Sequence, residues 1–173
     1  DLSVRGVPNV LKNTVFPFRY KRFNELKKIV NKNNIGIIMM EFSRNLKPDI
    51  NFLKKIRKLS SKKNIILIFD ECTSGFRQSF GGLHKLYKVY PDMAIFGKCL
   101  GNGFAISAVI GKKNIMDSAQ NSFISSTFWS ERIGYVASLK TLKEMEKIKS
   151  WKIITKMGLY VRKKLKYLSK KNK

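Results

Sequence analysis

Residues 65–103 constrain the fold of this chain more than any other stretch. Two short apolar runs, Ile-Ile-Leu-Ile-Phe at 65–69 and Met-Ala-Ile-Phe at 93–96, each lead into a charged residue and a glycine-containing turn. Apolar runs of this length without polar alternation are the pattern of buried parallel strands. In open α/β sheets the carboxyl ends of the strands open onto the ligand crevice. Asp70 and Lys98 are therefore expected at one place, delivered there by different strands.

The flanking sequence fits such a sheet. Phe23, Leu26, Ile29 and Val30 recur at helical spacing, and 35–40 is a nearly continuous apolar run closing at Glu41, which predicts a buried strand. Asp49 suits a helix N-cap ahead of the stripe Phe52, Leu53, Ile56 and Leu59. Leu83, Leu86, Tyr87 and Tyr90 predict a further helix ended by Pro91. A strand at Val109 and Ile110, a short helix at Ile115 and Met116, and a long helix over 132–149 complete the alternation. Strands alternating with helices imply βαβ units and a largely parallel sheet.

Composition narrows the class. The apolar fraction of 43% and the aromatic fraction of 12% belong to a globular chain, long enough at 173 residues to bury a core. The formal net charge of +25 suits polyanions such as nucleic acid or an acidic membrane surface. The lysines are nevertheless scattered through every segment, which favours a drift that charges solvated faces over a nucleic-acid site. No stretch approaches the roughly 18–20 apolar residues of a membrane span. Cys72 and Cys99 form neither a disulfide framework nor a metal pair, and a reducing cytoplasm fits them. The chain begins at Asp1 without methionine, as a fragment or processed product does.

Phe69-Asp70-Glu71, Thr73-Ser74-Gly75-Phe76-Arg77, Pro91-Asp92, Gly97-Lys98 and Gly101-Asn102-Gly103 together resemble the core of class III aminotransferases. These enzymes use pyridoxal 5'-phosphate (PLP). Gly75-Phe76-Arg77 and Gly81-Gly82 are most similar to glutamate-1-semialdehyde 2,1-aminomutase. The resemblance runs from about Val7 to Lys149. It implies the large domain of a type I PLP-transferase, α/β and three-layered with a mostly parallel sheet, incomplete at both ends. Residues 1–149 would be the central part of that PLP-binding domain, and 150–173 the start of a small C-terminal domain or a basic tail.

PLP chemistry needs an amine to hold the cofactor aldehyde as a Schiff base and an anion against the pyridine nitrogen. By resemblance Lys98 is the amine and Asp70 the anion, and their spacing of 28 positions is the family's. On geometry alone Glu71 serves as the acid equally well, and Asp70 is alternatively a turn carboxylate at a strand end. Cys72 falls where the family packs a small residue on the ring face. Thr127, after Ser125 and Ser126, falls where a threonine reaches the PLP phosphate of the neighbouring subunit, and the alternative is a turn former. His84, the single histidine, reads as structural on a solvated amphipathic helix.

Two departures from the family pattern stand out. Glu41-Phe42 replaces Glu-Pro, and Phe128-Trp129-Ser130-Glu131 replaces Gly-Asn-Pro. The phosphate loop and the substrate contacts of the family lie outside this sequence, so the chain alone is expected to hold PLP weakly or not at all. The resemblance implies a homodimer acting on a small-molecule amino donor or acceptor. The alternative is a catalytically incomplete subunit that binds nucleic acid or completes a site with a partner chain.

Overall fold

The structure, a computed structural model, describes residues 6–43, 47–127 and 129–171. Helix α1 (Phe23–Lys32) buries Leu26 and Val30, one turn apart, and strand β1 (Ile37–Glu41) follows. Helix α2 (Ile50–Lys62) starts where Asp49 Oδ1 accepts the Phe52 amide at 3.1 Å, the expected N-cap, and buries Phe52, Leu53, Ile56 and Leu59. Next come β2 (Ile66–Asp70), α3 (His84–Tyr87), β3 (Met93–Phe96), β4 (Ala108–Gly111) and α4 (Lys113–Met116). Helix α5 (Arg132–Ile148) ends at left-handed Lys149, and α6 (Ser150–Lys171) runs on from there.

Helix α3 is shorter than its apolar rhythm predicts. Lys88 turns left-handed at φ 52°, and the chain re-enters the core at buried Val89 instead of continuing to Tyr90. Burial of the next side chain overrides helical periodicity here.

The strands lie in the order β1-β2-β3-β4. The first three are parallel, in a register that sets Glu41 beside Asp70 and Asp70 beside Ile95. Strand β4 runs antiparallel to β3, with Phe96 opposite Ala108. Its direction follows from the connection, since residues 97–107 are too few for a helical crossover.

One face of the sheet carries the core. Ile38, Leu67 and Phe69 pack with Leu53, Ile56, Leu26 and Leu83, while Ala94 and Phe96 pack with Leu100 and Leu142. Phe42, standing where the resemblance expects proline, is fully buried with its ring edge-on to Phe69 at 5.0 Å. The loop beyond it includes residues 44–46, which lie outside the described residues. The opposite face is only partly covered: Ile37 is 55% exposed and Met39 52%. A strand run that is apolar on both faces suits two covering layers, and this chain supplies helices densely to one.

Asp92 locks the amino-terminal end of the sheet. Its carboxylate accepts from Arg57 of α2 at 2.8 Å, from the Leu67 amide of β2 at 2.8 Å and from Lys112 after β4 at 2.7 Å. The aspartate of Pro91-Asp92 is thus a structural clamp, buried at 6% exposure.

Candidate active site

The opposite, carboxyl end of the sheet gathers the chemistry. Asp70 is the last residue of β2, and β3 ends two residues before Lys98. Between Phe96 and Leu100, both buried, the backbone makes a tight 3-10 turn and leaves Lys98 exposed. Lys98 adopts φ 47°, the left-handed region that costs a side-chain-bearing residue about 1–2 kcal/mol. Its Nζ donates to Thr73 Oγ1 at 2.8 Å.

Asp70 Oδ1 accepts the Cys72 amide at 2.9 Å, so one of its oxygens makes the strand-end turn bond. Cys72 is half-buried, and its Sγ lies 3.3 Å from where a Cβ on Gly97 would stand. Burial and then the Asp70 carboxylate push the Cys72 thiol up, against the pull of the Lys98 ammonium. Asp70 bonds the Cys72 amide and Lys98 bonds Thr73, the next residue, which puts the carboxylate and the amine on the same edge of the fold. The structure therefore brings Asp70, Cys72 and Lys98 together.

Glu71, which geometry alone left open as the paired acid, is committed elsewhere. It is fully buried and accepts from Ser74 Oγ at 2.5 Å, from the amides of Leu83 and His84 at 2.9 Å each, and from His84 Nδ1 at 2.7 Å. Desolvation raises its pKa, but these donors outweigh it and hold the carboxyl below its ordinary value of 4.5. His84 is structural, as its sequence position suggests, but not solvated: its side chain is 11% exposed and pairs with Glu71. The turn between them requires glycine. A Cβ on Gly75 would lie 2.7 Å from the Glu71 carbonyl oxygen and 2.8 Å from the Phe96 ring, and one on Gly82 would run into the His84 ring.

Thr127 sits in an exposed turn, and no described hydrogen bond joins it to Asp70, Cys72 or Lys98. Phe128 lies outside the described residues. Ser126 and Trp129 on either side help line an open cavity of about 600 Å³, together with Ile106, Ser107, Glu131 and Tyr135. Among the described residues no cluster of histidine, cysteine or carboxylate suits a metal ion, and no helix is long and apolar enough to cross a membrane. Thr73 is the site residue that sequence reasoning missed; it stands in the Thr73-Ser74-Gly75-Phe76-Arg77 motif, but nothing in the motif singles out its hydroxyl.

Residues 21–173 match the model of the class III aminotransferase family. This chain belongs to that family. Class III aminotransferases are PLP-dependent enzymes, and this chain carries the carboxylate, amine and small half-buried side chain that suit a pyridine ring bearing an aldehyde. It is 37% identical over 158 residues to glutamate-1-semialdehyde 2,1-aminomutase of Nitrosopumilus maritimus, covering 87% of this chain and 37% of that protein. It is 35% identical over 162 residues to 3-aminobutyryl-CoA aminotransferase of Cloacimonas acidaminovorans, covering 88% and 39%. Among solved structures, the PLP internal aldimine form of the FumI protein of Sphingopyxis sp. MTA144 superposes with a TM-score of 0.80 at 22% identity, over 86% of this chain and 38% of the other. The class III chain thus spans less than two fifths of the length of these relatives.

Proposed function

We propose that this chain is the central part of a PLP-dependent enzyme that moves an amino group, a transaminase or an aminomutase, and that Lys98 is its reactive amine. The reading rests on one observation: Asp70 ends β2 and Lys98 follows the adjacent parallel β3 at the same sheet end, where Asp70 accepts from Cys72 and Lys98 donates to Thr73 of one turn. Bound PLP supplies an aldehyde for a primary amine and a ring that accepts electrons from the substrate carbon. Asp70 would face the ring nitrogen and keep a proton there, because an adjacent carboxylate favours the cationic form. Cys72, packed over Gly97, offers a small surface for the ring to rest on. Lys98 would hold the aldehyde through Nζ, and once an amino substrate had taken its place the free amine would carry a proton between the substrate carbon and the cofactor.

The substrate class is a small amino donor or acceptor. The protein would act in the cytoplasm as a homodimer, with Thr127 reaching the cofactor phosphate of the neighbouring subunit. The left-handed break at Lys149 suits a boundary at 149–150, with α6 opening a second, smaller domain.

Treating the chain with excess PLP, trapping with borohydride and mapping the modified peptides tests this reading. The expected result is incorporation concentrated at Lys98 and lost in Lys98→Ala. Incorporation at Lys98 no greater than at the other lysines would remove it from the reaction.

A further inference from the structure

Among the described residues the amine of Lys98 is held by a hydroxyl and not by a carboxylate. Nζ donates to Thr73 Oγ1 at 2.8 Å, although the Asp70 carboxylate stands at the start of the same turn, bonded to the Cys72 amide at 2.9 Å. The difference matters chemically. A carboxylate pairs only with the ammonium and so favours it, whereas a hydroxyl accepts from an ammonium and donates to a neutral amine. An amine that must shed a proton before attacking a carbonyl is best held by a partner indifferent to its charge.

Thr73 is itself fixed for the task. On one side of it the Glu71 amide donates to Ile95 O of β3 at 2.9 Å, and on the other the Gly75 amide donates to Glu71 O at 2.7 Å. Ser74, the next residue, is buried and bonded to the Glu71 carboxylate. The backbone on both sides of Thr73 is therefore anchored, and its branched Cβ restricts the hydroxyl to few orientations. Lys98 meets it from a left-handed turn between two buried residues.

We infer that Thr73 is a positioning residue for the Lys98 amine, holding Nζ at the sheet end in both its charged and its neutral form. This rests on the reading of Lys98 as the reactive amine. It adds that the amine's direction and readiness are set from the neighbouring strand end, by a residue in the turn that follows Asp70.

Three variants test it: Thr73→Val keeps the shape without the hydroxyl, Thr73→Ser keeps the hydroxyl, and Thr73→Asp puts a carboxylate beside the amine. Each is checked for fold by circular dichroism. Limited acylation by acetic anhydride across pH is then read at Lys98 by peptide mass spectrometry, against the other lysines of the same molecule, and PLP trapping is read the same way. Thr73→Val should lower PLP trapping at Lys98 about three- to tenfold, the loss of one ordinary hydrogen bond, and Thr73→Ser should restore most of it. Thr73→Asp should move Lys98 acylation to higher pH.

A Thr73→Val protein matching the original in trapping, or a Thr73→Asp protein with an unmoved acylation profile, would overturn the inference. If Lys98 of the unaltered chain traps PLP no better than other lysines, the proposed function fails. In that case the acylation profiles still decide whether Thr73 holds the amine.

Discussion

His84 donates its Nδ1–H to Glu71 Oε1 at 2.7 Å inside the core, next to the residue at which β2 delivers Asp70. The pair closes the turn of residues 71–84 onto the strand end, and the directions of Cys72 and Thr73 depend on it. Glu71→Ala leaves the Ser74 hydroxyl and the amides of Leu83 and His84 without their acceptor. Each unpaired buried donor costs about 1–3 kcal/mol, so a loss of at least about 3 kcal/mol is expected. Glu71→Gln, which keeps one acceptor oxygen, should lose about half of that. Urea unfolding measures both, and a Glu71→Ala protein as stable as the original would refute the role.

The same carboxylate sets an acid limit on stability, shared with Asp92. Burial raises the pKa of both, but their donors prevail and hold Glu71 below 4.5 and Asp92 below 3.8, their ordinary values. A carboxyl whose pKa is lower folded than unfolded contributes stability in full above its unfolded value. That contribution drains away as the pH falls through the folded value. The urea midpoint should therefore hold steady down to about pH 5 and decline below it. In Glu71→Gln and Asp92→Asn the decline should be shallower, because the titrating groups are gone.

Much of this arrangement was legible in the residues. The helix starts and strand ends follow from local chemistry: Asp49 caps α2, and the apolar runs at 65–69 and 93–96 give β2 and β3. Asp70 and Lys98 could be brought together because the sheet connection leaves parallel strands no other way to end. What stayed hidden depends on partners distant in sequence. Choosing between Asp70 and Glu71 requires knowing which way each side chain leaves the end of β2, and the Leu83 and His84 amides that commit Glu71 lie 12 and 13 residues away. The direction of β4 was hidden in the shortness of its connection, and the bond of Thr73 to Lys98 in a left-handed turn 25 residues downstream.

Cys72 reports on the juxtaposition of Asp70 and Lys98 without any cofactor. Burial, then the Asp70 carboxylate, raises the thiol's pKa, and the Lys98 ammonium lowers it. With Cys99 replaced by serine, Asp70→Asn should raise the fraction of Cys72 thiolate and speed its alkylation by iodoacetamide near pH 8. Lys98→Ala should slow it. The changes should be about two- to fivefold in opposite directions, as shifts of less than one pKa unit give. Rates that move the same way in both variants would place one of the two charges out of reach of the thiol.

Lys98 holds a backbone conformation that glycine would hold at lower cost, and the stability of its variants should show it. At φ 47° any residue with a Cβ strains against its own carbonyl, by about 1–2 kcal/mol. Glycine is free of that strain but loses about 0.5–1 kcal/mol more in backbone entropy on folding. Lys98→Ala keeps the strain and removes an exposed amine whose bond to Thr73 is solvent-facing, so stability should change by less than about 0.5 kcal/mol. Lys98→Gly should come out above Lys98→Ala by up to about 1.5 kcal/mol, the balance of the two terms. Both variants lose the amine, and neither should trap PLP at position 98. A glycine variant less stable than the alanine variant in urea unfolding would mean that the turn is not strained. In that event the reach of Nζ toward Thr73 would owe nothing to the left-handed backbone beneath it.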